Sequence, residues 1–188
     1  MQFEPTEIAD VILIRPTRFT DDRGHFSEVF NATKMANKKI IFLPVQENQS
    51  LSKIKGTVRG LHFQRAPHIQ AKLIRVLRGS IFDVAVDIRL GSPTYGKWVG
   101  AKLTSAEGEQ LFIPGGFAHG FCTLEPDTEV AYLVDCQYAP ECDAAIHWTD
   151  PTIAIEWPDF AGASVSEKDG KAQNLSDLAP PFRFERGR

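Results

Sequence analysis

Hydrophobic and polar residues alternate along most of the chain with a period of two. In the stretch IFDVAVDIR (residues 81–89), every second residue from Phe82 to Ile88 is hydrophobic, and the positions between them carry Asp83 and Asp87. Because successive side chains of a strand point to opposite faces, this pattern predicts a β-strand with two different surfaces.

Further alternating segments follow one another at short spacing. KLIRVLRGSIFDVAVDIR predicts two strands joined by a turn at Gly79 and Ser80, and Gly, Pro or Asp residues separate the next segments, which are KWVGAKLT, EQLFIP, HGFCTL and EVAYLVDCQY. Helical spacing occurs locally in NATKMANKK and in SEKDGKAQNLSDL. We therefore predict an all-β meander that forms a sandwich or barrel, with short helices at its ends.

Length, charge and cysteine content narrow the function classes. The 188 residues favour a single domain, and the lysines and arginines are scattered in a chain of net charge -3, which disfavours binding to nucleic acid. No apolar run is long enough to span a membrane, and the first residues lack the features of a signal peptide. Three cysteines without CxxC spacing favour reduced thiols and a cytoplasmic location.

His62, in the stretch VRGLHFQ, is a candidate for chemistry. A lone histidine on an apolar strand is more often structural than catalytic, but Gln64 shares its strand face. Arg59 and Lys72 lie close in sequence, on strands that could be adjacent. Simple alternation would send Arg59 and His62 to opposite faces. Gly60 lies between them and is a candidate for a β-bulge that turns both side chains inward.

His119, in IPGGFAHGF, raises the question of a metal site, because imidazoles on separate strands of a small barrel are common transition-metal ligands. A cupin metal site would need a second histidine two residues after the first, together with a carboxylate. Gln64 occupies that position here, and the cation Arg65 follows it. A structural histidine, or one that lines a pocket for an organic ligand, fits the pattern better.

Four other residues each allow a structural and a functional interpretation. Tyr132 is either a core tyrosine or a phenol that gives a proton from the face opposite a histidine base. Tyr138 belongs to a loop, where it is either incidental or stacks on a planar ring. Lys168 and Asp169 form a charged turn, yet an aspartate from a distant segment can orient a histidine base.

Ten segments resemble, in order and spacing, the dTDP-4-dehydrorhamnose 3,5-epimerases of the cupin superfamily: DDRGHFSEVF, QENQS, VRGLHFQ, QAKLIRV, GSIFDVAVDIR, SPTYGKWVG, IPGGFAHGF, YAPE, WTDP and SEKD. The resemblance implies an all-β, cupin-type jelly-roll barrel with short peripheral helices, in a homodimer that exchanges edge strands. It implies one epimerase domain over 1–188, with a core of about 40–140 and a C-terminal segment 141–188 that returns to the active site. It also implies a nucleotide-sugar substrate and no cofactor or metal.

The same resemblance assigns four catalytic residues. His62 would be the base, Tyr132 the acid, Asp169 the partner of His62, and Lys72 the cation that faces the keto oxygen of the sugar. The implied reaction is the 3,5-epimerisation of dTDP-4-dehydro-6-deoxy-D-glucose to dTDP-4-dehydro-L-rhamnose through an enolate. Related expectations are epimerisation at C3 or C5 alone, a metal-dependent cupin oxygenase or isomerase, or a binding module without catalysis.

The remaining residues carried over would bind the substrate. Gln46, Asn48, Arg59 and His119 would position the sugar, and Tyr138 would stack on thymine. Arg23 and Glu28, supplied by the partner subunit, would contact the nucleotide or diphosphate, with Lys168 as a further binding position. Asp143 replaces a longer glutamate that contacts the nucleotide. Ala145, His147 and His25 also depart from the usual family residues, all at the expected nucleotide end.

Overall fold

The structure is a computed structural model of the 188-residue chain, and it describes residues 1–158 and 162–184. Residues 159–161 and 185–188, which belong to the predicted C-terminal segment, lie outside the described residues. Within the described part, no helix is both long and apolar enough to cross a membrane.

Strands dominate the described chain. The strands are β1 (Gln2–Pro5), β2 (Ile12–Arg15), β3 (Arg18–Asp21), β4 (Gly24–Ser27), β5 (Gln46–Ser52), β6 (Val58–Gln64), β7 (Lys72–Arg78), β8 (Ser80–Asp87), β9 (Arg89–Leu90), β10 (Trp98–Thr104), β11 (Gln110–Ile113), β12 (Phe117–Thr123), β13 (Thr128–Val134), β14 (Asp143–Ala145) and β15 (Phe182–Arg183). The helices are α1 (Ala32–Asn37) and α2 (Glu167–Gly170), and a 3₁₀ turn covers Leu175–Asp177. Both helical predictions are confirmed.

The strands form two main sheets. One has six strands in the order β1-β2-β11-β7-β13-β5, and the other has five in the order β10-β8-β12-β6-β14. The predicted turn at Gly79 joins β7 to β8, but these strands belong to different sheets, so the meander is wrong. Alternation defines the faces of a strand and says nothing about which strands lie beside it. The arrangement is the expected jelly roll.

The space between the two sheets forms the main hydrophobic core. Ile74 and Val130 from the six-stranded sheet pack there with Ile81 and Phe121 from the five-stranded sheet. Burial of each such side chain stabilises the fold by about 1.5–3 kcal/mol. A polar cavity lies between the same two sheets.

The outer face of each sheet is covered by a different part of the chain. Met35 of α1 packs with Leu73 and Phe112 on the six-stranded sheet. On the five-stranded sheet, Val84 and other outward residues pack against the C-terminal segment, including Trp157. This packing on the outer face places α2 next to β6. The predicted boundary between core and C-terminal segment stays a prediction.

A β-bulge at Gly60 changes the faces of β6, as the sequence predicted. Opposite β12, the pairing passes from His62–His119 to Arg59–Phe121, so three steps on β6 match two on β12. Gly60 has a φ of 131°, and a Cβ there would lie 2.5 Å from the Cα of Gly120. Only glycine fits this backbone and this close approach.

The bulge sorts the side chains of β6 into two sets. Val58, Leu61 and Phe63 join the outer hydrophobic cluster. Arg59 and His62 therefore fall on the opposite face, towards the six-stranded sheet. The sequence allowed β7 to lie beside β6, but β7 lies in the facing six-stranded sheet. Lys72 of β7 therefore approaches His62 from across the sandwich.

Candidate active site

A cavity of about 350 Å³ opens between the two sheets, and its walls are mostly polar. Eight residues predicted for the site line it: Gln46, Asn48, His62, Lys72, Tyr132, Tyr138, Asp143 and Lys168. They come from both sheets, from the loop that carries Tyr138 and from helix α2, which carries Lys168. Five other predicted residues, Arg23, Glu28, Arg59, His119 and Asp169, lie behind the wall or outside the cavity.

His62 and Asp169 form a close pair. The Asp169 carboxylate, Oδ1, lies 2.6 Å from Nε2 of His62, and Oδ2 accepts a hydrogen bond from the Gly60 backbone N–H at 3.3 Å. Ser166 caps α2, with its Oγ accepting from the Asp169 backbone N–H at 3.0 Å. The cap and the bulge therefore bring the carboxylate and the imidazole together.

The pair has a defined electrostatic character. Burial of Asp169 raises the pKa of its carboxyl group. The hydrogen bond and charge of His62 lower that pKa, as do the hydrogen bonds with Gly60 and Ser166. The lowering effects are the stronger, so the pKa of Asp169 lies below its usual value. Asp169 is therefore ionised near neutral pH and accepts from Nε2–H of His62. The other ring nitrogen, Nδ1, can then take up a proton.

Lys72 lies at the floor of the cavity. It is buried, and its Nζ donates to the backbone carbonyl of His62 at 3.3 Å. Burial lowers the pKa of Lys72 from 10.5 to about 8, against the opposing charges of Asp83 and Asp143. A desolvated ammonium interacts strongly with a developing negative charge, because little water screens it.

His119 and Asp83 form a second imidazole–carboxylate pair close enough to Lys72 to act on its charge. Asp83 Oδ1 lies 2.7 Å from Nε2 of His119, and both side chains are buried. Burial lowers the pKa of His119, although Asp83 opposes this shift. Asp83 Oδ2 is fully buried and has no hydrogen-bond partner among the described residues. Its negative charge therefore acts mainly on Lys72 and His119.

Sequence reasoning missed Asp83. The signal was present in the alternation of β8, where an acidic residue falls on the strand face that also carries the fully buried Ala85. A buried carboxylate on the inner face of a sandwich is rare unless it is paired. Asp83 is therefore a candidate functional residue on sequence grounds.

Tyr132 faces His62 from the opposite sheet, since β13 and β6 belong to different sheets and both side chains line the cavity. Burial raises the pKa of Tyr132 more than the nearby charge of Arg59 lowers it, so the phenol keeps its proton. Arg59 donates to Ser52 Oγ at 3.1 Å and to the Leu51 carbonyl at 3.2 Å. These bonds fix Arg59 against β5.

The mouth of the cavity carries a ring of polar contacts. Tyr138 donates through its hydroxyl to Asp143 Oδ2 at 3.1 Å, and Lys168 pairs with the same oxygen. Gln46 accepts from the Tyr138 backbone N–H at 3.0 Å and donates to Asn48 Oδ1 at 2.7 Å. Tyr138 is 54% exposed, so its ring is accessible at the mouth of the cavity.

Gln64 fastens the loop that carries Tyr138. Its Nε2 donates to the carbonyls of His68 and Gln137 at 2.8 and 3.1 Å, and its Oε1 accepts from the Ala139 N–H at 2.7 Å. In the sequence, Gln64 mattered as the residue that replaces a metal ligand. The structure shows that the buried amide holds two loops together.

Arg23 and Glu28 do not line the cavity of their own chain. Arg23 lies at the tip of the β3–β4 hairpin, where its side chain is 89% exposed and pairs with Asp21 at 2.6 Å. Glu28 pairs with Lys34 at 2.6 Å and accepts from Asn31. Their expected contact with the nucleotide through the partner subunit stays a prediction.

His147 is another position where the chain differs from the residue that is usual in the family. Its Nδ1 contacts Thr149 Oγ1 at 2.9 Å, and its ring stacks on Trp148. His147 does not line the cavity, whereas Asp143 does and contributes to the ring of contacts at its mouth. Among the named departures, Asp143 is therefore the one placed to affect a bound ligand.

Comparison with known proteins supports one family. A family model described as dTDP-4-dehydrorhamnose 3,5-epimerase matches residues 5–177. The curated dTDP-4-dehydrorhamnose 3,5-epimerase of Sinorhizobium fredii NGR234 is 50% identical over 98% of this chain and 94% of its own length. The enzyme of that name from Escherichia coli K12 is 47% identical over 92% and 94%.

A solved structure also matches this chain in three dimensions. The dTDP-6-deoxy-D-glucose-3,5-epimerase of Legionella pneumophila, crystallised with dTDP-4-keto-L-rhamnose, superposes with a TM-score of 0.93 and is 41% identical. The match covers 98% of each chain. The cupin-type jelly-roll prediction is confirmed by this likeness.

Proposed function

Because the chain belongs to the dTDP-4-dehydrorhamnose 3,5-epimerase family of isomerases, we propose that it inverts C3 and C5 of dTDP-4-dehydro-6-deoxy-D-glucose to form dTDP-4-dehydro-L-rhamnose. The observation that carries this proposal is the His62–Asp169 pair, which faces Tyr132 across one cavity with Lys72 at its floor. The arrangement offers a base, an acid on the opposite face and a cation between them.

The base in this mechanism is His62. The carbons to be inverted flank the C4 ketone, so removal of either proton gives an enolate. His62 takes that proton at Nδ1, and the ionised Asp169 stabilises the imidazolium through Nε2–H. The carboxylate also fixes the ring orientation, which keeps Nδ1 directed at the substrate.

The enolate is stabilised by Lys72. As the C–H bond breaks, negative charge collects on the C4 oxygen, and a buried ammonium lowers the energy of that charged state. Lys72 must be protonated to do so. Its lowered pKa also allows it to share a proton with the enolate oxygen as charge develops.

Inversion requires a proton donor on the other face of the sugar. Tyr132 holds its proton because burial raises its pKa, and it approaches from the six-stranded sheet. Donation from Tyr132 to the carbon that His62 deprotonated reverses the configuration. Each inversion leaves His62 with an added proton and Tyr132 without its own, and exchange with solvent water restores both. The same two groups then invert the second carbon after the sugar ring changes its orientation.

The reaction proceeds without a cofactor. At each of the two carbons one proton leaves and one returns, so the substrate is neither oxidised nor reduced and no electron carrier takes part. His62 and His119 each bind a carboxylate through Nε2, so the two imidazoles are engaged separately. These contacts favour acid–base chemistry over a shared metal ion.

The nucleotide is bound at the mouth. Tyr138 stacks on thymine with its exposed ring, while Lys168 contributes positive charge near the diphosphate. Gln46, Asn48 and Arg59 position the sugar from β5 and β6. His119 acts from close to Lys72. Asp143, shorter than the glutamate common in the family, occupies the nucleotide end.

The working form is a homodimer. The β3–β4 hairpin projects Phe19 and Phe26, which are 63% and 71% exposed, and carries Arg23 away from its own cavity. Exposed aromatic side chains of this kind are typical of interfaces. In the dimer, Arg23 and Glu28 reach the nucleotide of the partner subunit. A cytoplasmic location fits a chain with three cysteines and no CxxC spacing.

The decisive experiment is incubation of the protein with dTDP-4-dehydro-6-deoxy-D-glucose in D₂O. We expect deuterium at both C3 and C5 by NMR, and NADPH consumption when a downstream 4-keto reductase is added. Deuterium at only one of these carbons would identify the protein as a mono-epimerase. No incorporation would overturn the proposal. Other 4-keto nucleotide sugars, run in parallel, measure preference for the base and the sugar.

A further inference from the structure

Outside the catalytic cavity, three metal-ligating side chains converge on two neighbouring loops. The ligand atoms of His68, Glu141 and Cys142 all lie within 4.8 Å of one another, and they are the one such group in residues 1–158 and 162–184. We propose that these three residues bind a Zn²⁺ ion. This ion has no part in the proton transfers of the proposed function, and its binding is tested independently of activity.

The donor set suits zinc. An imidazole nitrogen, a thiolate sulfur and a carboxylate oxygen are its three usual protein ligands, and a thiolate with a carboxylate neutralises the charge of the ion. Ligands of one tetrahedral zinc ion lie ~3.6 Å apart, given bond lengths of about 2.0–2.3 Å. The three groups must therefore close by at most about 1 Å.

The burial of the three residues allows that closure. Cys142 is buried and His68 is half-buried, so both are held by their surroundings, whereas Glu141 is exposed and its side chain can swing onto the ion. A second thiol is close by, since Cys136 Sγ lies 3.6 Å from Nδ1 of His68. Cys136 does not belong to the group of three converging ligand atoms, so the fourth zinc ligand is water.

The backbone around the cluster is already fixed in position. The Arg65 N–H donates to the Cys142 carbonyl at 2.9 Å, and a turn returns the His68 N–H to the Arg65 carbonyl at 3.0 Å. Gln64 bonds both loops, at the carbonyl of His68 and at the N–H of Ala139. Because these bonds exist without the ion, binding needs little ordering of the chain.

A bound ion would crosslink residues 65–68 with residues 136–142. A ligand that binds the folded state and not the unfolded state raises the melting temperature. Zinc should therefore stabilise the whole chain, and this effect is visible without any substrate.

The test is a titration of chelator-treated, reduced protein with Zn²⁺ alone, using a chromophoric competitor. We expect one Zn²⁺ per chain, a rise in melting temperature and, with Co²⁺ in place of Zn²⁺, a tetrahedral spectrum that includes a thiolate charge-transfer band. Glu141→Gln, a surface change that should not disturb folding, should weaken binding at least ~10-fold, as should His68→Asn. The matched control, Glu7→Gln, changes another exposed glutamate and should leave affinity unchanged.

Three results would overturn the proposal. The first is zinc affinity that is equal in the wild type, Glu141→Gln and His68→Asn proteins. The second is loss of binding in His62→Asn with retention in His68→Asn, which would move the ion to the catalytic cavity. The third is a thiolate band that persists in Cys142→Ser, provided that circular dichroism shows the variant to be folded.

Discussion

The carboxylate of Asp169 lies 2.6 Å from Nε2 of His62, although 107 residues separate the two in the chain. The contact joins the short helix α2 to the bulged strand β6. The alternating pattern alone shows only that His62 is a strand residue. The contact with Asp169 orients its imidazole ring so that it can act as a base.

Removal of the carboxylate charge should therefore impair proton abstraction. We expect Asp169→Asn to lower kcat by about 10²–10⁴-fold, the usual range for general acid–base catalysis, with a much smaller change in KM. Steady-state kinetics with the coupled reductase measure this. The exposed Asp177→Asn should behave as wild type, and equal losses in both variants would count against the role of Asp169.

Replacement of Tyr132 should separate exchange from inversion. In Tyr132→Phe, His62 can still remove a proton and return one to the same face, so solvent deuterium should enter the sugar while inversion falls by about 10²–10⁴-fold. NMR of the recovered nucleotide sugar in D₂O distinguishes the two events. The half-buried Tyr95, outside the cavity, provides the matched change Tyr95→Phe. Full inversion by Tyr132→Phe would exclude the phenol as donor.

The activity should fall at alkaline pH because of Lys72. Its pKa is lowered to about 8, so it is protonated below that pH and loses its charge above it. Since the charged form stabilises the enolate, kcat/KM should decline about tenfold per pH unit beyond pH ~8. A pH profile flat to pH 10 would contradict this assignment.

Asp83 should set the position of that alkaline limb. Its negative charge opposes the fall in the Lys72 pKa, so Asp83→Asn removes a factor that raises the pKa. We expect the break in the pH profile to move to lower pH. Asp177→Asn, remote and exposed, should leave the break in place. An unshifted break in Asp83→Asn would show that Asp83 does not act through Lys72.

A side chain at position 60 should disrupt the site through the backbone. Gly60→Ala adds a methyl group 2.5 Å from the Gly120 Cα at a φ of 131°, and we expect a loss of about 2–4 kcal/mol in the free energy of unfolding. Gly24 has a similar φ of 127° but no atom within 4 Å of an added Cβ.

Gly24→Ala therefore reports the strain without the clash, and we expect it to lose only about 1 kcal/mol. Urea denaturation measures both variants. Similar losses in the two would mean that the contact with β12 contributes little, and that the positive φ accounts for the requirement for glycine.

The alternation of residues predicted the β-class correctly, and it placed Gly60 as a bulge, because both depend on the local geometry of a pleated chain. The ordered motifs also identified the family, which the comparisons confirm. His62, Lys72 and Tyr132 were named on the same basis, and they do line one cavity. Their catalytic roles stay predictions.

Only the tertiary structure decided which elements meet. Strands β7 and β8 follow each other in sequence yet lie in different sheets, and Lys72 reaches His62 across the sandwich rather than along a sheet. The Asp83–His119 pair depends in the same way on long-range pairing. A pattern of period two records which side of its own strand a residue occupies. Which distant group lies opposite is set by the packing of the two sheets.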